Sequence, residues 1–468
     1  MDGLECSVVW LSVCKKIIDF RIDANTYKKD YVKTSKKLED LNAHTIESQI
    51  KSIQNFGAYS LCNEINFVEQ GIPFLVTQNI RHNYIDWSNV KYVDEKSHKI
   101  LKKSHCHKNQ VLVTMAGEYL GRVAVYDTEF ISSSNQAIAK ITFLADKNPY
   151  FISTFLNTKY GQNQINRLKT ITGQPNINMG LIKSLLIPPV SHIFADDIER
   201  IVRQSTECQQ KSKQICVQAE AMLLNELGMA DFKPSLEKVS VKSFSDSFGT
   251  SGRLDAEYYQ KKYDDYLQYI QNYCRGYTSV QKKFQQVKTS FQRVKSEYPY
   301  VEIGDINVGD GTYSYNLTSV EDLPANAKIK VEIGDLIVSK VRPYRGAVSI
   351  IRHNLQDLVV SGAFTVLRKT SDYPIETLAV LFRTPIYKDW LLKWNVGSSY
   401  PVIKDEDVMN ILIPLFDDDI HDIVKAAMIS SENLKQKSEQ LLEQAKQAVE
   451  MSIEKDEQTA LDWLASQE

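Results

Sequence analysis

With 468 residues, 43% of them apolar and 24% charged, the chain has material for two cored domains and none of the bias of a disordered or fibrous protein. Its longest apolar runs, such as Leu185 to Val190, fall far short of the roughly 20 residues a membrane helix needs, and no basic-then-apolar signal pattern opens it, so no membrane partner and a cytoplasmic location are expected. The formal net charge of −2 is unevenly spread: residues 41–190 hold 15 Lys/Arg against 10 Asp/Glu and 281–400 hold 16 against 12, while 194–230 hold 4 against 6 and 416–468 hold 5 against 13.

In chain order, a strand-like run at Val8 to Val13 precedes Arg21-Ile22-Asp23-Ala24 and a Lys-rich amphipathic helix from about Asn25. From Gly71 the pattern is β-rich, with strands expected at Phe74 to Ile80, Gln110 to Met115, Val123 to Tyr126 and Ala137 to Phe143. Asn148 as cap and Pro149 at the first position start a helix that is expected to run to about Tyr160. The loop Thr172-Gly173-Gln174-Pro175-Asn176 follows, and Ile187-Pro188 closes the segment. From Phe194 to about Leu227, apolar or small residues alternate at steps of three and four (Ile198, Ile201, Ser205, Cys208, Ser212, Ile215, Ala219, Met222), the heptad seam of one long helix.

The same order then repeats. Arg253-Leu254-Asp255-Ala256 matches Arg21 to Ala24, Pro299-Tyr300-Val301 matches Pro73-Phe74-Leu75, and Val338, Gly346 and Val348 match Val113, Gly121 and Val123. Strands are expected near Tyr300 to Ile306, Leu336 to Val341, Ala347 to Ile351 and Phe364 to Arg368, then a helix near Ile375 to Trp390. Pro401 and Ile413-Pro414 match Pro175 and Ile187-Pro188. A second seam (Val424, Ala427, Ser431, Leu434, Ser438, Leu441, Ala445, Ala448) runs from Phe416 to about Ala448, with Asp418 and Asp419 where the helix dipole favours anions. A repeat of over 220 residues is a duplicated domain, not a solenoid unit. The expected fold is α+β: two tandem α/β domains, residues 1–193 and 231–415, each followed by a long helix, 194–230 and 416–468, the latter ending in an acidic tail, with the helices paired as an antiparallel coiled coil.

Catalytic signatures are missing. There is no Walker-type Gly-x-x-x-x-Gly-Lys, no Gly-x-Gly-x-x-Gly and no His-Glu-x-x-His. Asn148-Pro149-Tyr150-Phe151 approaches the Asn-Pro-Pro-Tyr/Phe motif of amino-methyltransferases, but it lacks the second Pro and the matching Tyr373-Pro374-Ile375 has no Asn, so a helix cap is the better reading. His105-Cys106-His107 has no second pair at zinc spacing and is not expected to hold a metal. The seven cysteines include no Cys-x-x-Cys pair and fit reduced thiols.

The arrangement resembles the specificity (S) subunit of type I restriction-modification systems over nearly the whole chain. The likeness is carried by the Arg-x-Asp-Ala openings, Leu336 to Tyr344 with Gly346, Gly161-Gln162, Gly173-Gln174-Pro175-Asn176-Ile177-Asn178, the Ile-Pro ends and the long helix after each globule. It implies a non-catalytic subunit whose two target-recognition domains each read half of a split site in double-stranded DNA, with the helices as spacer. It also implies two docked methyltransferase subunits and a restriction or translocase subunit as a further partner. S-adenosylmethionine would then bind the methyltransferase, with no cofactor in this chain. Ser398-Ser399-Tyr400-Pro401 in place of Thr172-Gly173-Gln174-Pro175 implies two different half-sites.

Basic globules on acidic helices suit a polyanion at the former and protein at the latter. A helix of about 33 residues is roughly 50 Å long at 1.5 Å per residue, against about 34 to 36 Å for one turn of B-DNA. Base reading uses side chains with paired donors and acceptors. The candidates are Gln78, Asn79, Arg81, Tyr119, Arg122, Asn135, Gln136, Gln174 and Asn176 in the first globule, and Lys340, Arg342, Tyr344, Arg345, Ser361 and Tyr400 in the second. The alternative is a protein-protein scaffold of two β-rich modules on a coiled coil, which would bind DNA only weakly and without sequence preference.

Overall fold

The computed structural model describes residues 8–15, 20–57, 59–88, 90–170, 173–237, 239–397 and 400–467. Cys6, Thr172, Ser398 and Ser399 lie outside them. The chain divides into two compact units, Met1–Gln209 with Gln436–Glu468, and Gln210–Lys435.

In the first unit, helix α1 (Lys29–Asp40) leads into two four-stranded sheets. The strands are β1 (Ile50–Gln54), β2 (Phe67–Val68), β3 (Ile72–Leu75), β4 (Lys91–Val93), β5 (Val111–Thr114), β6 (Val123–Val125), β7 (Ser133–Ser134) and β8 (Ile138–Phe143). One sheet has the order β1-β8-β5-β6 and is antiparallel throughout; the other, β2-β4-β3-β7, contains the parallel pair β3 and β7, with Phe74 opposite Ser133. Two helices follow, α2 (Pro149–Asn157) and α3 (Lys159–Leu168). The Asn148 side chain accepts from the N–H of Tyr150 and Phe151 at 2.9 and 3.2 Å, so this Asn is a helix cap. The single helix expected through Tyr160 is broken at Thr158, which is extended and caps α3 through Gly161 N–H. Gly161 is there because the two helices cross closely: a Cβ on it would sit inside the Leu156 backbone.

The long helix α4 (His192–Glu226) leads to the second unit, where α5 (Lys261–Gln271) is the counterpart of α1. Its strands are β9 (Phe284–Gln286), β10 (Glu297–Val301), β11 (Asn316–Ser319), β12 (Ala327–Lys330), β13 (Leu336–Ser339), β14 (Val348–Ile350), β15 (Val359–Ser361) and β16 (Phe364–Lys369). The sheet β9-β16-β13-β14 repeats the strand order of the first unit; the sheet β11-β10-β15-β12 shares with its counterpart a parallel pair, here β10 and β15 with Tyr300 opposite Val359, but adds β12 beyond β15 where β7 is an edge. Helices α6 (Ile375–Arg383) and α7 (Pro385–Trp390) break at Thr384, as α2 and α3 break at Thr158. The second long helix, α8 (Asp418–Glu454), precedes α9 (Glu457–Ala465).

Within the first unit, Ile198, Ile201, Val202, Ala445, Ala448 and Val449 share one core with the sheet and α2. Within the second, Ala219, Leu223 and Val424 share a core with α5, α6 and α7. Ser205 meets Ser438 and Ser212 meets Ser431, so seven residues forward on α4 is seven back on α8 and the helices pair antiparallel. The seam of α8 keeps a strict heptad at Val424, Ser431, Ser438 and Ala445, all buried. α4 keeps the same strict heptad at Ile198, Ser205, Ser212 and Ala219, but its second line drifts: Cys216 and Leu223 are buried where the heptad expects Ile215 and Met222, because a straight helix has 3.6 residues per turn and not 3.5.

Two further expectations are corrected. Val8 to Val13 is not a strand: Leu11–Cys14 forms a helical turn and Val8 and Trp10 are exposed. The acidic end is not a tail among the described residues, since α9 buries Ala460 and Leu464 in the first unit's core.

Candidate nucleic-acid interface

Each unit holds a loop against the end of its central hairpin with the same hydrogen bonds. In the first, Asn176 bridges to both Thr170 and Ala116, Gly117 N–H donates to the Pro175 carbonyl (3.0 Å) and Ile177 N–H to the Met115 carbonyl (2.8 Å). In the second, Val402 bridges to both Val396 and Val341, Arg342 N–H donates to the Pro401 carbonyl (2.8 Å) and Ile403 N–H to the Lys340 carbonyl (3.0 Å). Residues 117 and 342 are therefore equivalent, and so are 174 and 400.

The Arg-x-Asp-Ala openings anchor the foot of each loop. Arg21 pairs with Asp23 at 2.7 Å and donates to the carbonyls of Arg167 (3.3 Å) and Lys169 (2.9 Å). Arg253 pairs with Asp255 and donates to the carbonyls of Trp394 (3.2 Å) and Asn395 (2.9 Å). Gln162 likewise braces the hairpin, giving its amide to the carbonyls of Gly121 and Leu156, each at 2.8 Å. These motif residues hold the feet of the loops and the hairpin in place.

In the first unit, Gln174 and Asn176 are exposed on the loop, and Gln174 lies over Gly117, where a Cβ would come within 2.9 Å of its Nε2. Arg122 stacks on Tyr119, its Cζ 4.4 Å from the ring centroid, and its buried Nη1 has no hydrogen-bond partner. Burial, and then the neighbouring Arg81 guanidinium, hold Arg122 below the usual arginine range. Arg81 itself pairs with Asp86 at 3.4 Å. Two neighbouring guanidinium groups, only one of them paired with a carboxylate at 3.4 Å, favour an anion. Gln78 and Gln136 are exposed. Asn79 is corrected as an outward reader, being 2% exposed and bonded to Val76 N–H and the Asp86 carbonyl, while Asn135 is half-buried and its side chain accepts from Ala137 N–H at 3.2 Å.

In the second unit, Tyr344, Arg345 and Tyr400 are exposed on the turn and loop. Arg342 has φ +50° and ψ 55°, a left-handed conformation that costs an L-residue about 1–2 kcal/mol. It is held by the Pro401 bond and by stacking, with its Cζ 3.9 Å from the Tyr400 ring centroid, and its Nε has no partner. Two expected readers are turned inward. Ser361 is 5% exposed and accepts from the Asn326 amide at 2.8 Å, and Lys340 pairs with Asp405 at 3.0 Å. The structure thus groups Arg342, Tyr344, Arg345 and Tyr400 on one loop platform, and Tyr119, Arg122, Gln174 and Asn176 on the other.

The residue that sequence reasoning missed is Gly117, with φ +83° where its counterpart is a left-handed arginine. The same repeat offset that aligns Val113 with Val338 aligns these two, so the signal was present. Among the described residues no cluster of His, Cys, Asp and Glu could hold a metal, and no helix is long and apolar enough to cross a membrane. His105 instead stacks on His98 at 3.9 Å and bonds the His98 carbonyl.

The chain matches no protein-family model and no curated protein sequence. Among solved structures it is similar to the S subunit of a type I restriction-modification system from M. genitalium (14% identity, 88% of this chain and 94% of that one, TM-score 0.38). It is also similar to a chain of a type I R-M system solved for its complex assembly and conformational transition (12% identity, 86% and 96%, TM-score 0.29). A third is the HsdS subunit from Thermoanaerobacter tengcongensis (11% identity, 88% and 96%, TM-score 0.29).

Proposed function

We propose that this chain is a sequence-specific recognition subunit that reads a bipartite site in double-stranded DNA, one half per globule, and on which methyltransferase subunits dock. The observation that carries the reading is the duplicated loop platform: one set of backbone hydrogen bonds displays Arg122 and Gln174 in the first unit and Arg342, Tyr344 and Arg345 in the second. Guanidinium and amide groups present the paired donors and acceptors that base edges in the major groove match. Different side chains on equivalent scaffolds would give two different half-sites. The paired helices serve as spacer and protein-docking surface, a restriction or translocase subunit is a further partner of the assembly, and S-adenosylmethionine binds the methyltransferase.

Selection of bound duplexes from a random library by the full chain, alone and with its methyltransferase, tests this. Two short defined blocks separated by a fixed gap are expected, with methyl transfer only when the partner is present. Binding with no sequence preference would make the chain a scaffold, and methyl transfer by the chain alone would make it an enzyme.

A further inference from the structure

Among the differences between two copies of one backbone device, one is not neutral in physical terms. Position 117 is glycine with φ +83°, the residue that takes this conformation without strain. Position 342, its equivalent by the matched bonds to Pro175 and Pro401, is an arginine in the same left-handed region. An arginine there is disfavoured unless its surroundings hold it, and strain of this kind gathers at functional sites. The residue facing it across the loop differs in step. Over Gly117 lies the Gln174 amide, in space a Cβ would contest. Beside Arg342 stands the Tyr400 ring, stacked 3.9 Å from the guanidinium carbon.

We propose that residue 117 with 174, and residue 342 with 400, form the equivalent specificity-setting pair of the two globules. This rests on the DNA-reading function proposed above and adds the base each pair takes. Arg342, fixed by its backbone bond and by the Tyr400 face, presents a rigid two-pronged donor that matches the O6 and N7 acceptors of guanine. Its Nε is buried and has no partner in the protein, so the two prongs are the terminal Nη1 and Nη2 groups. Gly117 withdraws the side chain at the same point and leaves the position to Gln174, whose amide offers one donor and one acceptor and matches the N6 and N7 edge of adenine. Tyr400 is a positioning residue that acts through Arg342.

The test exchanges the pairs in the full chain and reads base preference by selection from random duplexes. Gly117→Arg with Gln174→Tyr is expected to change one adenine of the first half-site to guanine and to leave the second half-site unaltered. Arg342→Gly with Tyr400→Gln is expected to do the reverse. Should an exchanged chain fail to fold, single variants decide. Tyr400→Phe keeps the stack and is expected to keep the guanine preference, while Tyr400→Ala and Arg342→Ala are each expected to lose about 10-fold discrimination at the same base pair. Half-sites unchanged by the exchange, or a uniform loss over all sequences from Tyr400→Ala and Arg342→Ala, would overturn the pairing and leave the DNA-reading function standing. A wild-type chain with no preferred sequence would instead remove that function.

Discussion

The hydroxyls of Ser205 and Ser438 meet at 2.7 Å inside the helix pair, and Ser205 also donates to the Ser438 carbonyl at 3.1 Å. One heptad away Ser212 and Ser431 repeat the contact at 2.8 Å, joined by Cys216. Small residues let the helices approach closely, and a slip of one turn would press these buried hydroxyls against apolar neighbours. Ser205→Ala is expected to cost about 1 kcal/mol in denaturant unfolding. The double-mutant cycle with Ser438→Ala is expected to show a coupling of at least about 0.5 kcal/mol. Additive losses would mean that the hydroxyls act separately.

A ruler made of helix changes length in whole heptads. Seven residues inserted between Gln210 and Lys211, with a matching heptad between Glu432 and Asn433, preserve both seams and add about 10 Å. The gap between half-sites is expected to grow by about three base pairs at roughly 3.4 Å each, with the half-sites themselves unchanged. A gap that stays the same in selected duplexes would show that the helices do not set it.

Lys140 is 1% exposed, and its ammonium donates to Ser134 Oγ (2.8 Å) and the Ile138 carbonyl (3.4 Å), beside the buried Cys106 thiol that burial keeps neutral. Burial brings its pKa down to about 8, from 10.5 in the unfolded chain. Between these values the folded lysine is neutral while the unfolded one still holds its proton, so unfolding takes up a proton and stability rises with pH. Below about 8 the charged form is held in the core at a cost of roughly 3 kcal/mol. Lys140→Met is expected to raise the melting temperature at pH 7 and to flatten the rise between pH 8 and 10.5. A pH profile identical to wild type would place the titration elsewhere.

Gly161 allows α2 and α3 to meet, and Gln162 beside it bonds the Gly121 carbonyl of the hairpin and the Leu156 carbonyl of α2. Gly161→Ala forces a Cβ into the Leu156 backbone, and a loss of about 3 kcal/mol or more is expected. Gln162→Ala leaves the Gly121 and Leu156 carbonyls without that donor and is expected to cost about 1–3 kcal/mol. Thermal unfolding of the two variants measures both, and a Gly161→Ala chain as stable as wild type would mean that the helices separate at no cost.

The duplication was legible because it is written in residues that register fixes. The alignment of Phe74 with Tyr300 reappears as a parallel strand pair in each unit, Phe74 opposite Ser133 and Tyr300 opposite Val359. The long helices were legible for a related reason, since their period is local and neither contains Gly or Pro. Burial of Asn79 and Ser361 was not. Turn-forming side chains look alike in sequence whether they bond their own loop or face solvent, and only the fold brings Asp86 and Asn326 to them. Pairing of Lys340 with Asp405 is equally hidden, because the partners are 65 residues apart. The break at Thr158 depends on a helix crossing that no periodicity reveals.

The first unit is finished by residues far from its beginning. Glu457 accepts from Ser191 N–H at 3.0 Å, Lys159 pairs with Glu450 at 3.6 Å and with Glu454, and α9 seats Leu464 in the core that holds Leu38 and Ile46. On the ribosome, the N-terminal globule therefore waits for some 270 residues of later chain before its core closes, so it emerges as an open shell with apolar surface uncovered. A chain stopped before Gln436 would retain every strand of that globule and lack its keystone.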